Sequence, residues 1–467
     1  MGNKVNKNNV TRALDFRDRM DTEISETFCL AKWHHTSIYL QTGMTHSCYH
    51  PSPHKIPLEG LEFNPSQLHN TPEKKLERKE MLEGKKPTGC QYCWNVECMG
   101  KDYVSDRVIR SASIATEARI EEIKTKPWDF DVNPDYIEIS FSNECNFKCG
   151  YCHPNSSSRF ASEIKKHGPY PTENHGLNID SIILLEEEGN PYVKAWWEWW
   201  PEVSKTLNIL RVTGGEPLMH ASTWRLFDEL QANPKPHLEL NINTNLGVKP
   251  RMVEQLSKNV KSLVANNGIK QFALYTSIDC WNERAEYIRT GLKLDIWEQN
   301  FDTFAREVQA PINLMITFNA LTVTTFKSLL EKILEWRQTY DGIIIPPANS
   351  SGRTIRFDTP YLKEPLHYDM NILPKKEFMP YMTECLAFIF DNVDDDDPRM
   401  FQTMEYEKFR RVHDYMETTT YDDEKLLVGR KDFYKWFNEY DKRRKTNFLE
   451  TFPEYTDFYN SCRRLCE

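Results

Sequence analysis

The chain has 467 residues, 39% hydrophobic and 27% charged, with a formal net charge of −10. That length buries a core readily and allows two or three domains, or one large barrel with extensions. The acid excess argues against a broad basic surface for nucleic acid or anionic lipid, and no run of about 20 apolar residues offers a membrane span.

Met1 to Arg19 carries no signal-peptide pattern and reads with residues 1–20 as a polar leader. A cytoplasmic location follows as the expectation, and stable disulfides are not expected there. Residues 21–105 hold Cys29, Cys48, Cys90, Cys93 and Cys98 and few periodic aliphatics, so a metal staple would help them fold. Ser37 to Cys48 suits two short strands with a turn at Gly43 that presents Cys48 near Cys29. Pro72 to Glu83, charged with spaced Leu76 and Met81, reads as a short exposed helix. Cys90-Gln-Tyr-Cys93 with a remote pair has the spacing of a zinc knuckle. Residues 106–135 read as a linking helix, from the pattern Ile109, Ile114, Ala118, Ile120 and Ile123.

From 136 to 370 strand-like runs alternate with helical ones. The strand candidates are Tyr136–Phe141, Leu207–Val212, Leu238–Asn243, Phe272–Ile278, Leu314–Phe318 and either Ile343–Ile345 or Ile355–Phe357. Helices fall at Thr223–Gln231, Arg251–Leu263 and Thr325–Gln338. Such alternation implies an α/β fold with a parallel sheet and right-handed crossovers, in a full or partial β/α barrel. Residues 153–205 form an insertion whose Trp196, Trp197, Trp199 and Trp200 suit a helix packed on the barrel. Asp394 to Asp397 reads as a solvated loop, and 371–467 as a mainly helical extension.

The chemistry is concentrated in Asn143-Glu-Cys-Asn-Phe-Lys-Cys-Gly-Tyr-Cys-His153. Three cysteines spaced Cys-x3-Cys-x2-Cys can wrap three corners of a compact iron–sulfur cubane, with the fourth corner open. A structural zinc remains the alternative from spacing alone. The loop follows a strand candidate, and the carboxyl ends of strands are where barrels place their chemistry. Thr213-Gly-Gly-Glu-Pro217 follows the next strand candidate. Its glycines permit close backbone approach, Glu216 adds an acceptor and Pro217 stiffens the exit. Softer candidates lie at later strand ends: Asn243 and Asn245, Ser277 and Asp279, and Asn319.

The cysteine motif, with aromatic Tyr151 before its last cysteine, resembles that of the radical SAM superfamily, and Gly214, Gly215, Glu216 and Pro217 resemble that family's Gly-Gly-Glu-Pro motif. The resemblance implies a partial (β/α)6 radical SAM barrel in which Cys145, Cys149 and Cys152 hold a [4Fe–4S] cluster. Its fourth iron would be chelated by the methionyl amine and carboxylate of S-adenosylmethionine. Tyr151 would lie near the adenine, Gly214 to Pro217 would bind the methionyl amine, and Asn243, Ser277 and Asn319 would contact ribose, carboxylate or adenine. Cys29, Gly43 and Cys48, then Leu68-His-Asn-Thr71, Arg78, Met81-Leu-Glu-Gly84 and Pro87, then Cys90 and Cys93, resemble the auxiliary modules called SPASM and twitch domains. On that resemblance Cys29, Cys48, Cys90 and Cys93 would hold a second [4Fe–4S] cluster, ahead of the barrel rather than after it. Cys98 falls one residue short of the next SPASM cysteine.

Cys462 and Cys466 have helical spacing and suit an incidental pair or a further metal site. Cys280 and Cys385 read as inert thiols, and His34 and His35 as packing residues. Three functions follow: a radical enzyme modifying a peptide or protein side chain, the same chemistry on a small molecule or nucleotide derivative, or a non-enzymatic metal-stapled binding protein. The enzyme readings imply a flavodoxin or ferredoxin as electron donor.

Overall fold

The computed structural model describes residues 7–98, 100, 104–173, 189–345 and 354–467. The first six residues of the expected leader, and 174–188 of the expected insertion, lie outside them. The chain divides into two compact units. The first comprises 1–142, 184–213 and 235–240, and the second 143–183, 214–234 and 241–467. These units do not follow the segments drawn from composition.

In the first unit the strand order is β3-β2-β1-β4-β5, with β1 His35–Tyr39, β2 Met44–His46, β3 His54–Lys55, β4 Tyr136–Ser140 and β5 Ile209–Thr213. The β1–β2 pair is antiparallel, with Ser37 opposite His46, and turns at Gly43 in the left-handed region at φ +63°. A Cβ at Gly43 would overlap the Tyr192 ring, so conformation and space both require glycine there. On its other edge β1 runs parallel to β4, His35 opposite Tyr136, and β4 runs parallel to β5, Tyr136 opposite Ile209. The hairpin that follows Cys29 is therefore hydrogen-bonded to the first strand of the expected barrel.

The amino-terminal stretch differs from a polar leader. Lys7–Glu23 is a helix that buries Ala13 and Met20, and its Ala13 packs with Val108 and Ala112. The linker holds two helices, Asp106–Ile114 and Glu117–Thr125, because Ala115 is extended and Thr116 caps the second with its hydroxyl on Arg119 N. Pro72–Leu82 is a helix as expected but not an exposed one. Lys74, Arg78 and Met81 are buried. Lys74 Nζ donates to the Thr36 and Thr45 hydroxyls at 2.7 and 2.8 Å, and Arg78 donates to Lys32 O, Asn70 and His69. Polar partners inside the unit let those side chains be buried. Pro191–Val203 is a helix in which Trp196, Trp199 and Trp200 are buried and Trp197 is partly buried.

The second unit holds β7 Ile269–Ser277, β8 Ile312–Met315 and β9 Ile355–Asp358 in parallel register, Leu274 opposite Ile312 and Ile312 opposite Ile355. The intervening β6, Lys235–Thr244, gives its first residues to one unit and its last to the other. Of the two readings for the last strand, Ile355–Phe357 is the strand; Ile343–Ile345 continues a turn with Gly342 at φ +70°. Helices alternate with these strands. Pro250–Ala265 buries Val253, Leu256, Val260 and Leu263, one stripe at helical spacing. The carboxyl-terminal region is helical, with Lys375–Asp391, Thr403–Thr418, Asp423–Arg444 and Thr456–Arg464. Parallel strands alternating with helices make this an α/β protein. Among the described residues no helix is long and apolar enough to cross a membrane.

Candidate active site and auxiliary cysteine site

The loop from Asn143 to His153 is fixed by backbone bonds rather than by regular structure. Ser158 N donates to Asn143 O, Glu216 N to Glu144 O at 2.7 Å, Lys148 N to Thr290 O and Gly150 N to Ile288 O. Two glycines allow this packing. A Cβ on Gly215 would strike the Asn143 and Glu144 carbonyls, and one on Gly150 would strike the Tyr368 hydroxyl. The cysteine loop and the Gly-Gly-Glu-Pro turn thus meet backbone to backbone.

Cys145 and Cys149 are buried and Cys152 is partly so. Phe147 N and Asn245 Nδ2 approach Cys145 Sγ at 3.4 and 3.9 Å, and Arg289 Nη1 approaches Cys149 Sγ at 3.9 Å. Burial, then the Cys149 charge, pushes the Cys152 thiol up to about 12; burial, then Cys149, also raises Cys145. Three buried thiols that resist ionising together are ones a positive metal centre would convert to thiolates. Donors already aimed at two sulfurs fit a negatively charged cluster.

Glu216 is 1% exposed. Its carboxylate accepts from Leu218 N at 3.1 Å, Thr244 Oγ1 at 2.8 Å and Asn245 N at 2.7 Å. It ties the glycine turn to the end of β6 and is committed inside the protein. Burial raises its pKa to about 7 against these donors. Asn319 is also committed, its Nδ2 to Thr317 O and its Oδ1 to Leu321 N. Asn243 and Ser277 are partly buried, in β6 and at the end of β7.

Sequence reading named Asp279 as a strand-end candidate but missed Arg289, the partner that organises this site. Tyr151 Oη donates to Asp279 Oδ2 at 2.6 Å. Arg289 grips the same carboxylate with Nε at 2.8 Å and Nη2 at 3.0 Å, and Thr317 N donates to it at 2.8 Å. The guanidinium lies 5.6 Å from the Tyr151 ring centroid. A buried chain thus runs from Tyr151 through Asp279 and Arg289 to Cys149. The second omission is Arg444, whose Nη1 donates to Lys148 O at 2.6 Å and to Thr290 Oγ1, and whose Nη2 donates to Glu163. Neither arginine carries a local motif; only their distant partners single them out.

In the first unit Cys29, Cys48, Cys90 and Cys93 line one cavity together with Lys32, Arg107 and Arg110. Lys32 Nζ bonds Glu77 at 2.7 Å. Burial opposes its charge, but Glu77 and the Cys90 and Cys48 sulfurs hold its pKa above the ordinary value. Arg107 pairs with Glu97 through two bonds. Arg110 Nε is buried without a hydrogen-bond partner, 3.9 Å from the carboxylate of Asp106, which also lines the cavity. Burial raises the Cys90 thiol to about 11 and Cys93 to about 12. Four thiols, three cations and an unmet N–H fit a group that bears negative charge and acceptor atoms, as an all-cysteine iron–sulfur cluster does.

Cys98 is exposed and does not line that cavity. His35 instead packs its ring 5.2 Å from that of Tyr136. Cys462 is buried while Cys466 is exposed beyond the last helix. Among the described residues, the ligand atoms converging tightly enough for a single ion belong to His413, Asp414 and Glu417. The cysteine sulfurs are spread more widely, and cluster ligands sit on separate irons.

No family model matches the chain. A GTP 3',8-cyclase of Nautilia profundicola is 29% identical over 116 residues, 25% of this chain and 29% of that protein. The radical SAM cyclopropyl synthase TigE of Paramaledivibacter caminithermalis is 27% identical over 213 residues, 44% of this chain and 39% of that protein. Among solved structures, anSMEcpe with bound AdoMet aligns over 71% of this chain and 99% of that one, at 12% identity and a TM-score of 0.35. The chain spans about a third of the length of the curated relatives it matches.

Proposed function

We propose that the chain is a radical SAM enzyme built on a partial (β/α)6 barrel, with Cys145, Cys149 and Cys152 as ligands of its [4Fe–4S] cluster. The observation that carries this reading is the bond from Glu216 N to Glu144 O, which joins the two motifs that such chemistry requires side by side. When bound, the cluster and S-adenosylmethionine supply one-electron cleavage of the sulfonium to methionine and a 5'-deoxyadenosyl radical. The protein's own share is positioning and exclusion of water. Gly214 and Gly215 bring backbone close to the cofactor, and Glu216 holds that turn rigid from inside. Arg289 lends positive charge to Cys149 and orients Asp279, which fixes the Tyr151 ring through its hydroxyl. Asn243 and Ser277 offer polar contacts to the nucleoside. Asn319, bound up in its own turn, acts by shaping that turn.

Cys29, Cys48, Cys90 and Cys93 hold a second [4Fe–4S] cluster in this reading. With four cysteines on one cavity no iron is left open, which favours an electron conduit, fed by a flavodoxin or ferredoxin, over substrate ligation. The substrate is a peptide or protein side chain, or a small molecule such as a nucleotide derivative. Anaerobic reconstitution with iron and sulfide tests the assignment. It should yield the broad absorbance and reduced-state paramagnetic signal of [4Fe–4S] centres, and 5'-deoxyadenosine when dithionite and S-adenosylmethionine are added. Cys149→Ala should form none. Stoichiometric zinc without cleavage would establish the metal-stapled scaffold instead.

A further inference from the structure

We propose that the first unit carries a second binding site, for an organic ligand bearing a primary ammonium, in a cleft of about 650 Å³ lined by His34, Glu122, Glu198, Trp199 and Glu202. The cleft shares no lining residue with the cysteine cavity. Its volume falls in the range of small-molecule sites.

The case rests on which polar groups of the wall are already engaged. Asp135 is taken by Arg119 and by Asn208 Nδ2. Arg119 also donates Nη1 to Ile114 O. Asp131 accepts from Asn64, Ser66 and Lys75, and Trp199 Nε1 donates to Asn133 Oδ1 at 3.2 Å, which fixes the indole.

What remains for a guest is a set of acceptors. His34 is 5% exposed, yet its Nδ1 has no partner. The ring also bonds to the Asn133 backbone. A neutral imidazole keeps one ring nitrogen as an acceptor. Burial first, then Arg119, lowers the His34 pKa to about 3, so the lone pair persists at neutral pH. Glu198 and Glu202, one turn apart on Pro191–Val203, pair among the described residues with lysines of their own surface, Lys194 at 3.7 Å and Lys205 at 2.6 Å. Such exposed pairs are weak and readily exchanged. Glu122 faces the cleft from the helix Glu117–Thr125. An ammonium offers three donors and no acceptor, which matches a neutral nitrogen among three carboxylates. An anion would meet repulsion from all three. The fixed Trp199 ring gives the ligand's methylenes an apolar wall.

Calorimetric titration of the full chain at low salt tests this. The probes are Nα-acetyl-lysine methylamide and spermidine; the controls are the norleucine analogue, which lacks the amine, and citrate. Saturable one-to-one binding of the ammonium probes is expected, with neither control binding. Binding should weaken at least ten-fold in the Glu122→Gln/Glu198→Gln variant, whose exposed substitutions leave thermal unfolding unchanged. The proposal is overturned by absence of saturable binding of both ammonium probes, by equal binding of the norleucine analogue, or by an affinity the double substitution does not alter.

Discussion

Glu216 shows how much a single buried carboxyl can govern. Its ordinary pKa is 4.5 and burial raises it to about 7, although three donors face it. Below pH 4.5 folded and unfolded chains both hold the proton. Between 4.5 and 7 only the folded chain keeps it, so its contribution to stability falls as pH rises through that window. The difference of about 2.5 units corresponds to roughly 3 kcal/mol. Buried histidines such as His34, His35 and His46 titrate in the same window with the opposite sign, so the reading is a difference: by urea unfolding of the metal-free protein from pH 4.5 to 7.5, the stability of Glu216→Gln relative to the original chain should rise by roughly 3 kcal/mol. Equal slopes in the two proteins would refute the argument. Asp279 poses a different case, a buried carboxylate gripped by Arg289 through two bonds. Arg289→Met leaves that buried charge without its counter-ion, a loss of about 3–5 kcal/mol. Adding Asp279→Asn removes the orphan, so the double variant should be more stable than Arg289→Met alone. A double-mutant cycle measured by urea unfolding reads this coupling directly.

The element that holds the cysteine loop comes from the far end of the chain. Arg444 closes the helix Asp423–Arg444, and its side chain is fully buried against Lys148 O, Thr290 and Glu163. Arg444→Met should destabilise the protein by about 3 kcal/mol, since Glu163 loses its arginine and keeps Lys148 and the Tyr170 hydroxyl. The Lys148 carbonyl would be released as well, so the variant should also lose iron faster to a chelator than Arg444→Lys. Equal iron-release rates in the two variants would show that the helix does not brace the loop. The cysteine loop itself was legible because its ligands stand within eight residues of sequence, and β4 to β9 were legible because buried strands read as apolar runs. The braces were not. Arg289 meets Cys149 across 140 residues and Arg444 meets Lys148 across 296, and no local pattern encodes such a meeting. The helix Lys7–Glu23 was missed for a related reason, since its buried Ala13 and Met20 are too sparse to register as a stripe. Lys74 and Arg78 misled in the other direction, because charge in a sequence reads as exposure until the hydroxyls and amides that receive it are seen.

At the scale of the molecule, each cysteine group is built wholly from one unit: Cys29, Cys48, Cys90 and Cys93 from the first, Cys145, Cys149 and Cys152 from the second. Every charged group named around each site belongs to the same unit as its sulfurs. Assembly of one cluster therefore has no ligand in common with assembly of the other. Reconstituted wild-type protein should bind about eight irons, as two four-iron clusters do. Cys93→Ala leaves three thiols in a cavity with three cations and should fall to about four. Its remaining reduced-state signal should still change when S-adenosylmethionine is added, because the cofactor site is intact. Cys149→Ala should also fall to about four, but its remaining signal should be indifferent to the cofactor, since an all-cysteine cluster has no open iron. The pair of variants thus separates the two centres by spectrum as well as by iron count. Loss of all iron in either single variant would mean that the sites are coupled through the fold rather than built apart.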